Sequence, residues 1–272
     1  MKQMTISIND IGLDESKLKK IKKIDDFSIY LKEYNISLLE DTPLYRYIDL
    51  SRLIDLFYNK KLFIPSIKQF SDLDEKYGCR KYPYNPQFRP CLSHKDKIQM
   101  KERDKEMDIL LSLCVKCWTL DKRTDGSIGE TMLMWKTYSS NDIVCRIKTT
   151  IRDLADSIKL PCDIIIADMN YGKNDKLSTH EQLLFNKSIH YDQEQEIRML
   201  CMVSKKSGIK IDIQPENLIK EIIISPFIPP QTASFVIAQL RKICSNIEIK
   251  LSSIREYNDH LSTNNDLNKV WC

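Results

Sequence analysis

The chain is poor in the residues on which several enzyme classes depend. Only six glycines occur in 272 residues, and neither GxGxxG nor GxxxxGK[ST] is present, which disfavours P-loop enzymes. The zinc-protease motif HExxH is absent; GxSxG is also absent, and none of the four histidines pairs with a cysteine or serine in a recognisable nucleophile setting, which disfavours hydrolases built on a catalytic triad. No apolar run approaches the roughly 18 residues of a membrane helix, and the first twenty residues lack the apolar stretch of a secretion signal. We therefore expect a cytoplasmic protein without a membrane partner.

The charge balance and the cysteine content exclude few further classes of function. The 42 basic and 38 acidic residues give a net charge of +4, too balanced to indicate a nucleic-acid binder by itself. Nine cysteines without an export signal are expected to be reduced thiols. In the Cys114-x-x-Cys117 pair, a strand would send the two sulfurs to opposite faces, so buried thiols are favoured over a metal site.

The order of predicted elements favours an α+β fold. Residues 1–40, with "KLKKIKKIDDFSIYLKEY" at helical spacing, are predicted to be a partly helical N-terminal extension. After it, strands and helices alternate over 41–258, but many strands follow one another directly instead of being joined by crossover helices. Residues 259–272 are predicted to be a polar tail without periodicity.

Several of these elements have clear boundaries. Leu50, Leu53, Ile54 and Phe57 have the i, i+3, i+4, i+7 spacing of an amphipathic helix. Further helices are predicted over 94–111, within "SIGETMLMWKTY" and near 231–244. Strands are predicted at 44–48, 61–66 and 114–120, within "DIVCRIKT" and "CDIIIADMNY", and near 196–204, 208–213 and 220–225.

Polar residues inside strands are the candidate functional groups. Arg46, between Tyr45 and Tyr47, suits a bidentate grip on a phosphate, or equally an edge-strand pairing with an acid. Thr119 lies in the strand "CVKCWTL", where threonine is also simply a good strand former.

The acids of "YDQEQEIRML" raise a second question. On a strand, Glu194 and Glu196 would point to the same side, either as a solvated edge or as part of a site. Trp135 and Tyr138 share a face of a predicted helix and are expected to be core residues more than a ring-stacking surface.

The order of arginine, hydroxyl and E-x-E resembles the Arg–Ser–Glu arrangement of the ADP-ribosyltransferase superfamily. The chain also resembles a bacterial and phage-borne domain family of unknown function with the motifs Y-[HKR]-Y, FNDPxE, Phe-Ser, MWxxY and ExExR. The matching stretches are "LYRYIDLSRLIDLFYNKKLFIPSIKQFSDLDE", "KCWT", "LMWKTY", "NKSIHYDQEQEIRML" and "EIIISPFIPPQTASFVIAQLRK", which span about residues 43–255. Two departures are that Thr119 replaces a serine and that "FSDLDE" lacks the asparagine and proline.

The resemblance implies an ADP-ribosyltransferase-like split β-sheet core with surrounding helices and NAD as the substrate. Arg46 would hold the NAD phosphates or ribose, and Thr119 the nicotinamide ribose. Glu196 would stabilise the oxocarbenium-like transition state, and Glu194 would orient the acceptor or take its proton. The remaining candidate binding residues are Tyr47, Asp72, Trp135 and Tyr138.

The implied function is transfer of ADP-ribose to a macromolecular acceptor, either a nucleic acid or a protein. The family's occurrence suggests a toxin or an antiviral defence effector, with an antitoxin or defence partner protein. Two alternatives stay open: a non-catalytic sensor or interaction module that binds NAD or a related nucleotide, and an NAD glycohydrolase.

Overall fold

The structure is a computed structural model, and it describes residues 4–70, 94–122, 129–139, 143–160, 162–172 and 176–255. The strands are β1 (Met4–Thr5), β2 (Lys19–Ile24), β3 (Phe27–Lys32), β4 (Pro43–Asp49), β5 (Lys61–Ile64), β6 (Leu113–Thr119), β7 (Val144–Thr150), β8 (Ile164–Asp168), β9 (Asn170–Tyr171), β10 (Asn186–Lys187), β11 (Glu196–Ser204), β12 (Ile209–Asp212), β13 (Glu221–Ile224) and β14 (Glu248–Leu251).

The α-helices are α1 (Leu50–Asn59), α2 (His94–Leu111), α3 (Met132–Tyr138), α4 (Ile151–Ser157), α5 (Thr179–Phe185), α6 (Pro215–Leu218) and α7 (Pro230–Ile243). Short 3₁₀ helices cover Asn9–Ile11, Glu15–Lys17, Ile67–Gln69 and Ile189–Glu194. Within the described part of the chain, no helix combines the length and the apolar character needed to cross a bilayer.

The chain forms two compact units, each built from three separate segments. The first unit contains Met1–Leu38, Phe63–Trp118 and Lys159–Ile211, and the second contains Leu39–Leu62, Thr119–Ile158 and Asp212–Cys272. The predicted domain boundaries at 40/41 and 258/259 stay predictions, and the predicted tail 259–272 lies outside the described residues.

In the first unit, β6, β11, β8, β3 and β2 lie side by side in that order. β11 runs antiparallel to β8, whereas β8 and β3 are parallel. Every residue of β11 except Ser204 is buried, as expected of a strand covered on both faces. Phe185, Leu113 and Leu200 belong to the apolar core of this unit.

Asp168, at the end of β8, ties this unit together over a long stretch of sequence. Its buried carboxylate accepts hydrogen bonds from the backbone N–H groups of Tyr34 (2.6 Å), Asn35 (2.7 Å) and Ile36 (3.0 Å). Three donors satisfy a carboxylate that would otherwise be costly to bury. They fix the turn that follows β3 against the end of β8.

The N-terminal basic run is strand, and the expectation of helix there is wrong. Lys19–Ile24 forms β2, which pairs antiparallel with β3, and the register shifts between Lys20 and Lys22. Where the register shifts, the side chains of β2 no longer alternate strictly between the two faces of the sheet. The strand therefore accommodates the apolar residues Ile21 and Ile24, whose spacing of three is also that of a helix. Exposed lysines on a terminal strand also protect its open edge from pairing with other chains.

In the second unit, β4, β7, β13 and β14 are neighbours. β4 and β13 flank β7 in antiparallel fashion, and β13 and β14 are parallel. The core cluster contains Tyr47, Met134, Trp135, Val144 and Ile223. Both units thus combine mixed strand pairing with helices, and the predicted α+β class is confirmed.

The helix α1 follows the sequence prediction closely. Leu53, Leu56 and Phe57 are its buried residues, and Lys60 ends it in a left-handed conformation (φ 50°). The backbone N–H of Lys60 donates to the carbonyl of Leu56 (3.0 Å), which satisfies one of the last carbonyls of the helix. This turn leads directly into β5.

Candidate functional site

Glu196 is the first residue of β11, whereas Glu194 is the last residue of a 3₁₀ helix. Gln195 between them has a left-handed backbone (φ 43°). The expectation that both acids lie on one strand and share a face through strand alternation is therefore wrong. The left-handed residue ends the helical turn and redirects the chain into the strand.

The two carboxylates nevertheless meet at one lysine. The Lys187 ammonium group donates to Glu194 Oε2 (2.8 Å) and lies 3.4 Å from Glu196 Oε2. It also lies 4.9 Å from the centre of the Tyr191 ring, where a cation–π contact is favourable. The side chains of Lys187, Glu196 and Arg198 are buried, while that of Glu194 is 22% exposed.

Arg198 holds the other oxygen of Glu196. Both residues lie on β11 two positions apart, so their side chains leave the same face. Arg198 Nε donates to Glu196 Oε1 (2.8 Å), and its Nη1 donates to the carbonyl of Leu184 (2.8 Å). We call Lys187, Glu194, Glu196 and Arg198 the Lys187 cluster; its two anions and two cations balance.

The cluster keeps Glu196 charged. Burial would raise the pKa of Glu196, but the charges of Arg198 and Lys187, with a hydrogen bond from Cys117, lower it to about 2. The hydroxyl of Tyr171 accepts the backbone N–H of Glu196 (2.7 Å), and burial raises the pKa of that phenol. At neutral pH, Glu196 is thus a fixed, ionised carboxylate.

A second group of the candidate residues meets in the second unit. The Tyr47 hydroxyl donates to Asp121 Oδ2 (3.0 Å), and its ring contacts Trp135 edge-on (4.8 Å) and stacks on Tyr138 (5.6 Å). Thr119 Oγ1 accepts the backbone N–H of Asp121 (3.0 Å). Tyr47, Thr119, Trp135 and Tyr138 are therefore brought together around the Asp121 turn.

Arg146 completes this arrangement as the cationic partner of Asp121. Its Nε donates to Asp121 Oδ2 (2.5 Å), and its guanidinium group lies 3.8 Å from the centre of the Tyr45 ring. Both members of the pair are buried. Burial raises the pKa of the Asp121 carboxyl above its usual value, and the opposing effects of Arg146 and Tyr47 offset only part of this rise.

Trp135 and Tyr138 occupy different environments. Trp135 is fully buried and donates from Nε1 to Glu130 Oε2 (2.9 Å), an acid that Ser252 and Ser253 also hold. Tyr138 is 42% exposed. Trp135 is therefore a core residue, as the helix spacing indicated, and Tyr138 offers an accessible ring.

Arg46 is not brought together with Thr119. Tyr45 and Thr119 are direct partners in an antiparallel pair, so their side chains point to the same face. Arg46 alternates with Tyr45 and Tyr47 along β4, and its half-buried side chain therefore leaves the opposite face. The remaining candidate, Asp72, lies outside the described residues.

Several residues of these clusters were not assigned a role from the sequence, among them Lys187, Tyr171, Arg146 and Asp121. Lys187 and Tyr171 are on two-residue strands that carry no periodic signal, and they meet because β9 and β10 pair in parallel. Arg146 had a usable signal, because it interrupts the apolar strand "DIVCRI" as Arg46 interrupts its own strand. Asp121 follows Thr119 by two residues, which is the spacing of a side-chain turn.

No protein-family model matches the chain, and no curated protein matches it. Among solved structures, it is similar to Thermus sp. 2.9 DarT in complex with ADP-ribosylated ssDNA, with 9% identity, coverage of 82% of this chain and 98% of that chain, and a TM-score of 0.38. For the same protein in complex with NAD+, the identity is 10%, the coverage 81% and 99%, and the TM-score 0.36. For its complex with carba-NAD+, the identity is 10%, the coverage is 80% of this chain and 98% of that chain, and the TM-score is 0.37.

Proposed function

We propose that this chain is an NAD-dependent, ADP-ribosyltransferase-like enzyme that transfers ADP-ribose to a macromolecular acceptor. The observation that carries the proposal is Glu196, a buried and ionised carboxylate at the start of β11, with the more exposed Glu194 on the same lysine. The resemblance of "YDQEQEIRML" to the E-x-E-x-R motif supports it independently.

The chemistry requires a fixed anion. NAD supplies the ADP-ribosyl group, and nicotinamide leaves with the electron pair of the C–N glycosidic bond. Glu196 then stabilises the positive charge that develops on the ribose, because a preorganised carboxylate acts where charge appears in the transition state. The acceptor's lone pair forms the new bond to the ribose, and Glu194 takes the proton that the acceptor loses.

The binding roles are assigned by resemblance. We assign the NAD phosphates or ribose to Arg46 and the nicotinamide ribose to Thr119. Because Arg46 and Thr119 leave opposite faces of the β4 ladder, one NAD molecule does not contact both through the sheet, and substituting each residue separately decides which of the two assignments holds. Tyr47, Tyr138, Trp135 and Asp72 complete the proposed set; of these, the partly exposed ring of Tyr138 is the best suited to stack on a base or a nicotinamide ring.

The decisive experiment incubates the full chain with NAD labelled in its adenylate part, together with single-stranded DNA or with cell-lysate protein. Label on either macromolecule supports the transferase, and its loss in Glu196→Gln with retention in Glu181→Gln assigns the chemistry to Glu196. Glu181 is a suitable control because it also pairs with a lysine, Lys32, at 3.0 Å in the same unit. Circular dichroism of each variant establishes that it is folded.

A non-catalytic role is the second candidate, and one observation favours it. Glu196 is only 4% exposed, and both of its oxygens are bound by Arg198 and Lys187, as in a structural ion cluster. Tight NAD binding without nicotinamide release would identify a sensor. Release of free ADP-ribose without a labelled macromolecule would identify a glycohydrolase, and neither binding nor turnover would reject an NAD-linked function.

We further propose that the chain is a cytoplasmic toxin or antiviral defence effector, and that a partner protein such as an antitoxin restrains its activity. Expression of the wild type in bacteria should then arrest growth, because uncontrolled ADP-ribosylation consumes NAD and blocks its acceptor. Glu196→Gln at the same protein level should relieve the arrest. Equal growth with both proteins would remove the support for a toxic activity.

A further inference from the structure

The four charges of the Lys187 cluster pose a problem that the proposed chemistry alone does not solve. Transfer requires Glu196 to remain anionic while Glu194 accepts a proton. Both carboxylates contact one ammonium group, so their Oε2 atoms lie within about 6 Å of each other, a separation at which one anion raises the pKa of its neighbour. Without a shared cation, such a pair loses its two protons in separate steps, and the second carboxylate ionises only at a higher pH.

We propose that Lys187 is a positioning residue of this site, whose ammonium group holds the Glu194 and Glu196 carboxylates together in their charged forms. The inference rests on the proposed ADP-ribosyl transfer and specifies how its two acids divide their work. Arg198 Nε donates to Glu196 Oε1, whereas the Lys187 ammonium group reaches a carboxylate oxygen of each of the two acids. Lys187 therefore acts chiefly by stabilising the charge of Glu194 beside that of Glu196.

The fold fixes the lysine in this position. β10 pairs in parallel with β9, which aligns Lys187 with Tyr171, and the Tyr171 hydroxyl bonds the backbone of Glu196. The ring of Tyr191 covers the ammonium group from the 3₁₀ helix that carries Glu194. Three neighbouring elements thus restrict a side chain that is usually mobile.

Other titratable groups near the cluster do not replace the lysine. Arg198 on β11 and Cys117 on β6 contact Glu196. Burial raises the pKa of the Tyr171 phenol on β9, and Tyr191 contributes the face of its ring to the Lys187 ammonium group. Asp168 of β8 pairs with Ile197, the residue after Glu196, and its carboxylate is already bound by three backbone N–H groups.

The test measures NAD turnover from pH 5 to pH 9 for the wild type, Lys187→Gln, Lys187→Arg and Lys250→Met. Glutamine keeps hydrogen-bond donors but removes the charge, so the acidic limb of the profile should move up by about one pH unit or more. Turnover should then fall by up to about tenfold on the acidic side of the limb and recover to the wild-type value at pH values well above it. In Lys187→Arg, which keeps the positive charge, the acidic limb of the pH profile should stay within a few tenths of a pH unit of its wild-type position.

Lys250→Met is the matched control, because Lys250 also bridges two carboxylates, Glu221 (2.9 Å) and Glu248 (3.0 Å), on the surface. It should leave the profile unchanged. Turnover by Lys187→Gln that drops by one factor at every pH would overturn the proposal, since that pattern indicates a structural role. Inactivity of the wild type would instead reject the proposed function itself, so the two failures are distinguishable.

If Lys187→Gln does not fold, the comparison is repeated in a Glu194→Gln background, which removes the second negative charge. The proposal expects the loss of Lys187 to move the acidic limb there by less than half of the shift expected for the single variant. An equal or larger shift would show that Lys187 acts on Glu196 alone and would overturn the proposed sharing.

Discussion

The burial of Glu196 predicts a stability difference whose dependence on pH can be worked out from the structure. The pKa of Glu196 is about 2 in the folded chain, against 4.5 for an unperturbed glutamate. Each pKa unit corresponds to about 1.4 kcal/mol, so ionised Glu196 contributes about 3 kcal/mol at pH 7. Breaking a buried ion pair by removing one partner costs a similar amount, about 3–5 kcal/mol.

The sign follows from the depressed pKa. The unfolded chain binds the proton first as the pH falls, so the contribution is complete above about pH 4.5 and is lost between there and about pH 2. A single group with these two values retains about 2 kcal/mol at pH 3.5. The free energies of unfolding of the wild type and Glu196→Gln should therefore differ by a constant amount above pH 5. This difference should be smaller by about 1 kcal/mol at pH 3.5.

Urea unfolding at pH 7, 5.5, 4.5 and 3.5, followed by circular dichroism and tryptophan fluorescence, measures this gap. Glu181→Gln is again the control, and its smaller effect should be about 1 kcal/mol, since its pair with Lys32 is partly exposed. A gap below 1 kcal/mol at pH 7, or one that stays constant down to pH 3.5, would contradict the pairing of a buried, ionised Glu196 with Arg198 and Lys187.

Two further predictions concern other buried groups. Arg146→Met leaves the buried Asp121 charge without its cation and should lower the free energy of unfolding by about 3–5 kcal/mol in a urea titration; a loss below 1 kcal/mol would indicate that water reaches the pair. Thiol labelling at pH 8 with mass spectrometry should modify Cys117, which is partly exposed, before Cys201, because burial raises the pKa of the Cys201 thiol. Labelling of Cys201 first would contradict this burial.

The sequence predicted those elements whose periodicity tertiary contacts do not disturb. The helix α1 and the strand β11 follow their apolar patterns closely, because one face or the whole strand is buried. The strand β2 was missed since its register irregularity mimics helical spacing. A single-sequence pattern cannot distinguish an interrupted strand from a basic helix.

The proximity of the two candidate acids could be predicted from the sequence, whereas their shared lysine partner could not, and their role in a site stays a prediction. Glu194 and Glu196 were correctly singled out as neighbours, but through strand alternation, which the left-handed Gln195 replaces. Lys187 is seven residues away on a strand too short to be read from the sequence, and only the β9–β10 pairing explains its position. The opposite directions of Arg46 and Thr119 depend on ladder register, which composition and spacing do not determine.

The parallel pairing of β3 with β8 has a consequence for synthesis on the ribosome. Tyr34 and its Asp168 acceptor are 134 residues apart in the chain, so β3 emerges long before its neighbour exists. At roughly 5–20 residues per second, one edge of β3 stays without its β8 neighbour for roughly 7–27 seconds. During that time the β2–β3 hairpin exposes a sheet edge, which makes the growing polypeptide a natural client for ribosome-associated chaperones.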